Sequence, residues 1–162
     1  MITSAVAQVA LRICAWLVVA VSGLMIAITF AQVLFRYIFA SPLTWSEELA
    51  RYCFVWIVYL GAPIALHRGL HIGVDNLTIH LSKKSQRILE AINDAIALAL
   101  VVLVVFASIE VLQANRLQFS PAIGLQMALV YLAIPICMVV MALVLAEKLL
   151  VRTSQARPEE RP

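Results

Sequence analysis

The chain has 162 residues, of which 64% are hydrophobic and only 13% charged, with a net charge of +3 and a mean hydropathy of +0.99. Water-soluble domains run near half apolar with about a quarter charged, so this is an integral membrane protein with no room left for a soluble domain. The basic excess would suggest nucleic acid in a soluble chain, but in a membrane chain it marks cytoplasmic loops, and no nucleic-acid partner is expected.

A bilayer core takes roughly 20 apolar residues per spanning helix, so short loops leave room for about four spans. The expected fold is all-α: four transmembrane helices, an interfacial segment between spans 1 and 2, and a single membrane domain over 1–152. Span 1 is placed at about 13–35. Arg12 precedes an uncharged run of 23 residues, Ile13 to Phe35, longer than the roughly 7–15 of a signal-peptide core, so it reads as a retained span. Within it Ser22 and Gly23 are small packing residues and Gln32 is the one strongly polar interior group.

After Arg36 comes YIFASPLTWSEEL. Pro42 disfavours a helix continuous with span 1, and Thr44 with Glu47 fits a capping box, so span 2 is placed at 45–66. A polar, basic loop follows over 67–82. Ser82 is placed to cap a third helix from Lys83 to about Gln113, roughly 46 Å long at 1.5 Å per residue. That exceeds what the membrane needs, so its membrane part is set at 92–111, with Lys83, Lys84, Arg87, Glu90 and Asp94 in the interface or in water. After Asn115 and Arg116, Ser120-Pro121 reads as a cap with proline at the first helical position. Span 4 then occupies 121–146, kinked at Pro135, and 153–162 form a disordered cytoplasmic tail.

The Lys and Arg residues near the spans set the orientation. Arg12, the group Arg68, Lys83, Lys84 and Arg87, and the group Lys148, Arg152, Arg157 and Arg161 fall on one side. Arg36 and Arg51, offset by Glu47 and Glu48, fall on the other with Arg116. Both termini are therefore expected in the cytoplasm.

The polar groups admit plain structural readings beside functional ones. Glu47 and Glu48 stand four and three residues before Arg51, the spacing of helical ion pairs, and acids in a first turn complement the helix dipole. The alternative is that one carboxylate meets a basic group on a partner subunit. No nucleophile or metal-ligand set accompanies them, so no enzymatic role is expected. Trp45, Tyr52, Trp56 and Tyr59 are spaced 7, 4 and 3 apart and share one helical stripe, either an interfacial belt or a packing surface. Gly61 and Ala65 form a small-xxx-small pair that permits close helix approach.

His67 and His71 have metal-ligand spacing, but Gly69 and Gly73 argue against a continuous helix, and neither His80 nor any Cys or carboxylate cluster completes a site. These histidines read as loop-organising, and Arg68 and Asp75 as a loop salt bridge or a hold on lipid headgroups. Cys14, Cys53 and Cys137 lie in apolar segments and read as small hydrophobes. Asp94 and Glu110 sit near the ends of span 3. Broken helices and repeated halves, from which secondary transporters build a mid-membrane site, are missing. The chain is not expected to move a solute alone, and no cofactor or metal is expected.

The stretch FRYIFASPLTWSEELARYCFVWIVYLGAPIALHRGLHIGVD resembles the signature of the small membrane subunit of tripartite ATP-independent periplasmic (TRAP) transporters. The resemblance rests on Arg36, Tyr37, Pro42, Trp45, Glu47, Glu48, Arg51, Gly61, Arg68, Gly69, His71, Ile72, Val74 and Asp75. Ser120-Pro121 and Leu132-Ala133-Ile134-Pro135 are similar to the family's last span. It implies a four-span protein of the bacterial inner membrane, a scaffold for a large multi-span permease subunit that carries the substrate and sodium sites. A periplasmic substrate-binding protein would deliver an organic acid to the pair.

On that resemblance, Trp45, Arg51, Tyr52, Trp56, Tyr59, Gly61, Arg68, His71 and Asp75 would face the large subunit, with membrane lipids around them. Glu47 and Glu48 would touch the binding protein. Two other classes fit the composition. One is the four-span subunit of tricarboxylate-type tripartite transporters, which shares the architecture but not the Trp-x-Glu-Glu and Arg-Gly-x-His-Ile pair. The other is a haem- or quinone-binding redox subunit, which a visible absorption spectrum would separate.

Overall fold

A computed structural model describes residues 4–69 and 83–155. The described residues form an all-α membrane protein with four helices long and apolar enough to cross a bilayer. Helix α1 is Ala5–Tyr37, α2 is Thr44–His67 and α3 is Lys83–Ala114. The fourth span is a short α4, Met127–Tyr131, continued by α5, Ala133–Gln155.

Helix α1 begins well before the expected span. Ser4 caps it by accepting from the Ala7 N–H at 3.3 Å, which satisfies one of the donors a helix start leaves open. The same residue ties α1 to α5, since its N–H donates to Glu147 at 3.2 Å and its hydroxyl donates to the same carboxylate. After α1 the chain turns sharply: Ala40 takes φ 49° and the Ser41 N–H donates back to the Phe35 carbonyl at 3.0 Å.

Helix α2 starts where expected but by a different device. The residue before it, Leu43, offers no side-chain cap, and Thr44 already lies inside the helix. The Ser46 hydroxyl instead donates to the Leu43 carbonyl at 2.6 Å, and the Glu47 carboxylate accepts from the Gln32 side chain at 3.1 Å. Gln32, at the end of an apolar span, needs a hydrogen-bond partner, and it takes the acid from the expected capping box.

The start of the fourth span also differs. Ser120-Pro121 opens a tight turn, not a helix. The Ser120 N–H donates to the Leu125 carbonyl at 2.9 Å, the Gly124 N–H to the Ser120 carbonyl at 3.0 Å, and the Met127 N–H to the Gln118 carbonyl at 2.9 Å. Gly124 sits at φ 70°, a left-handed conformation that stops a right-handed helix from propagating, so α4 waits until Met127. Pro135 then acts as expected. It has no N–H for the Tyr131 carbonyl and its ring crowds that group, and the helix is interrupted at Leu132, between α4 and α5. Helix α5 runs to Gln155, so 153–155 extend the helix where a disordered tail was expected. The remainder of that tail, 156–162, lies outside the described residues, as do Ser82 and His80.

Successive spans alternate in direction, so α2 and α5 run parallel. Helix α1 packs along α2, and α5 lies between α2 and α3. Leu145, fully buried, gathers Leu11, Leu66, Val101 and Val144 from all four spans into one core cluster. A second cluster joins Cys14, Leu60 and Cys137, with Trp56 and Tyr59 packed against it. The three cysteines are buried and free, as small core hydrophobes should be. Both clusters lie toward the end that holds Ser4, Leu66 and Lys148, leaving the opposite end to polar contacts.

Candidate functional site

That opposite end is where the sequence signature converges. Helix α1 delivers Gln32 and Arg36, the start of α2 delivers Thr44 to Arg51, and the turn before α4 folds over them. Glu48 is the keystone. Its carboxylate accepts from the Ser120 hydroxyl and from the Ala122 N–H at 3.2 Å, while Ser120 Oγ in turn accepts from the Ile123 N–H at 3.3 Å. The turn is tied again by the Gln126 side chain, which donates to the Arg116 carbonyl, and by an antiparallel bridge between Phe119 and Gln126. Sequence spacing gave no hint of the Glu48–Ser120 contact, because the two residues stand 72 positions apart.

With Glu47 given to Gln32 and Glu48 to the turn, the expected ion pairs to Arg51 do not form. Elsewhere in the bundle Lys148 pairs with Asp94 at 3.3 Å. Arg51 is exposed on α2, and Phe54 and Val58 continue its stripe with more than half of each side chain exposed. Sequence reading missed these two because it followed the aromatic stripe instead. Their spacing of three and seven from Arg51 was the available signal.

The aromatic stripe faces mostly inward. Tyr52 is buried, and its hydroxyl lies 3.5 Å from the Met127 sulfur. Trp56 and Tyr59 are half-buried against the Cys14–Leu60–Cys137 cluster, and Trp45 is 41% exposed. Gly61 makes no close helix approach among the described residues: a Cβ added there meets nothing within 4 Å. Arg68 is exposed just beyond α2. His71 and Asp75 lie outside the described residues.

At the terminal end Asp94, expected in the interface, is only 4% exposed and pairs with Lys148 of α5. The pair fastens α3 to α5 where the Ser4–Glu147 contact fastens α1 to α5. Among the described residues no group of three or more His, Cys, Asp or Glu side chains stands close enough to hold a metal ion.

Comparison with known proteins places this geometry. Residues 25–155 match the family model described as tripartite ATP-independent periplasmic transporters, DctQ component. The chain is 32% identical over 134 residues to a TRAP transporter small permease protein of Haemophilus influenzae, covering 83% of each. It is 34% identical over 142 residues to the isethionate TRAP transporter permease protein DctMQ of Oleidesulfovibrio alaskensis, covering 83% of this chain but 22% of that longer protein. It is 33% identical over 86 residues to the C4-dicarboxylate TRAP transporter small permease protein DctQ of Vibrio cholerae, covering 53% of this chain and 37% of that one.

Proposed function

The chain belongs to the family of DctQ components of tripartite ATP-independent periplasmic transporters, and from that premise we propose that it is the small scaffold subunit of a sodium-coupled, binding-protein-dependent carrier of organic acids. Its partner in this reading is a large multi-span permease subunit in the bacterial inner membrane. The observation that carries it is the DctMQ relative, in which a stretch like this chain makes up 22% of one longer permease protein. A stretch carried within a longer permease is suited to sit beside the remainder of it. The names of the isethionate and C4-dicarboxylate relatives support small organic acids as the cargo class.

The chain's own residues favour a scaffold over a solute path. A buried ionisable group within a span usually marks function, but Asp94 is engaged by Lys148 in an arrangement that fastens helices. The outward stripe Arg51, Phe54 and Val58 is the proposed contact with the large subunit, flanked by the partly exposed Trp45 at the edge of the aromatic face and by Arg68 just beyond α2. Arg51 has no ion pair or hydrogen bond among the described residues and is fitted to a partner carboxylate. Tyr52, Trp56 and Tyr59 support that stripe from within, and Gly61 leaves open space for a partner helix. Glu48, committed inside the chain, does not serve as a contact for the binding protein. The balance of Lys and Arg around the spans supports both termini in the cytoplasm, with the Glu48 end in the periplasm.

The test is uptake of a radiolabelled organic acid by cells or proteoliposomes carrying the large subunit and the binding protein, with and without this chain. Sodium-dependent uptake that needs the chain, and that falls at least tenfold with Arg51→Ala while the variant still reaches the membrane, is the expected result. Uptake indifferent to the chain's removal would sink the proposal.

A further inference from the structure

The open notch between the end of α1 and the start of α2 carries a second set of groups that the scaffold role does not use. It is a cavity of about 230 Å³ lined by Gln32, Arg36, Pro42, Leu43, Thr44 and Glu47. That is smaller than the roughly 300–1,000 Å³ of sites for drug-sized ligands and suits a headgroup. Arg36 comes from α1 and Glu47 from α2, yet the two opposite charges make no ion pair with each other. One Glu47 oxygen is held by Gln32 at 3.1 Å, and Arg36 has no hydrogen-bond partner among the described residues.

We propose that this notch binds the headgroup of a zwitterionic phospholipid bearing a primary amine, phosphatidylethanolamine. A cation and an anion that share a cavity without closing it complement a ligand whose own two charges are fixed a short distance apart. The Arg36 guanidinium offers the planar donor fork that suits phosphate. The Glu47 oxygen left over from Gln32 accepts from the ammonium, which has three N–H donors, and Thr44 adds a hydroxyl. Choline is a poorer fit, because its quaternary ammonium has no N–H and is recognised by aromatic cages, whereas none of the six lining residues is aromatic. Phosphatidylglycerol satisfies Arg36 but leaves Glu47 facing no cation.

The position favours a lipid over a soluble zwitterion. The walls are the ends of two spanning helices, at headgroup level, and Val33 and Phe30, about one and two turns back along α1 from Arg36, are exposed and give the acyl chains an apolar surface. This lipid would be wedged between α1 and α2 at the turn where the chain re-enters the membrane.

Native mass spectrometry of the full-length, delipidated protein tests the proposal, using dioleoyl phosphatidylethanolamine, phosphatidylcholine and phosphatidylglycerol as separate additions. The expected result is about tenfold stronger retention of phosphatidylethanolamine than of phosphatidylcholine. Arg36→Gln should reduce retention of phosphatidylethanolamine and phosphatidylglycerol alike, and Glu47→Gln should abolish the preference for the ethanolamine lipid. Phosphoethanolamine and inorganic phosphate, added as competitors, separate the lipid from its free headgroup: the lipid reading requires that neither displaces the lipid at equal concentration. Equal retention of the three lipids, a preference unmoved in Glu47→Gln, or displacement by inorganic phosphate would overturn it. Because both positions are exposed and glutamine is a good helix former, an unchanged helical circular-dichroism spectrum is expected and separates lost binding from lost folding.

Discussion

Replacing Glu48 with alanine should release the turn before α4 without unfolding the helices. The half-buried carboxylate takes two hydrogen bonds from that turn, one from the Ser120 hydroxyl and one from the Ala122 N–H at 3.2 Å. A hydrogen bond to a charged group contributes about 1.5–3 kcal/mol, so two give about 3–6 kcal/mol, which screening at this partly exposed pair reduces to about 2 kcal/mol. At 1.4 kcal/mol per tenfold change in an equilibrium, that predicts roughly 30-fold faster amide exchange at Ala122 and Ile123. Hydrogen exchange followed by mass spectrometry on peptides spanning 115–127 reads this directly. Peptides from the buried stretch around Leu145 should keep their wild-type rates. Exchange across 115–127 within about threefold of wild type would refute the idea that Glu48 holds the turn, since a lost 2 kcal/mol would necessarily appear there.

Three further outcomes follow from the same contacts. Lys148→Ala removes one partner of an Asp94 side chain that is only 6% exposed; breaking buried pairs costs about 3–5 kcal/mol, and the 24% exposure of the Lys148 side chain together with the further interaction Asp94 keeps lowers this to about 1–2 kcal/mol. Unfolding in detergent should show it, and a change under about 0.5 kcal/mol would mean the pair fastens nothing. Gly61→Ala should leave the isolated chain unchanged or more stable by up to about 1 kcal/mol, because an added Cβ meets open space and alanine is the better helix former; a drop in recovery of the two-subunit complex with the same variant would locate the large subunit at that position. Ala40→Gly should raise stability slightly, by about 0.5 kcal/mol, because relief of the left-handed φ of 49° is offset in part by glycine's freedom in the unfolded chain; a lowered unfolding midpoint would contradict that reading of the turn.

The four-span, all-α fold was legible in the sequence because hydrocarbon thickness dictates span length and Pro42 and Pro135 punctuate the runs. The errors cluster where a residue chose a partner distant in sequence over a local one. Thr44 and Glu47 have the pattern of a capping box, yet Gln32 competes for the acid. Ser120-Pro121 has the pattern of a helix start, yet the left-handed Gly124 delays the helix to Met127. Glu47, Glu48 and Arg51 have ion-pair spacing, yet both acids are occupied elsewhere. The aromatic stripe was a true helical stripe, but periodicity alone does not say which side of a buried helix faces its own bundle and which faces a partner. Tyr52 went inward, and the outward stripe turned out to run through Arg51, Phe54 and Val58.

The pairing with a larger permease is the central claim, and co-purification tests it most directly. This chain, affinity-tagged at one terminus and co-expressed with the large subunit of its transporter, should recover that subunit in a one-to-one complex from detergent-solubilised membranes. Arg51→Ala combined with Phe54→Ala should reduce the recovery by at least tenfold while the tagged chain itself remains abundant and helical. Recovery of the tagged chain alone, from membranes in which both proteins are present, would contradict the account.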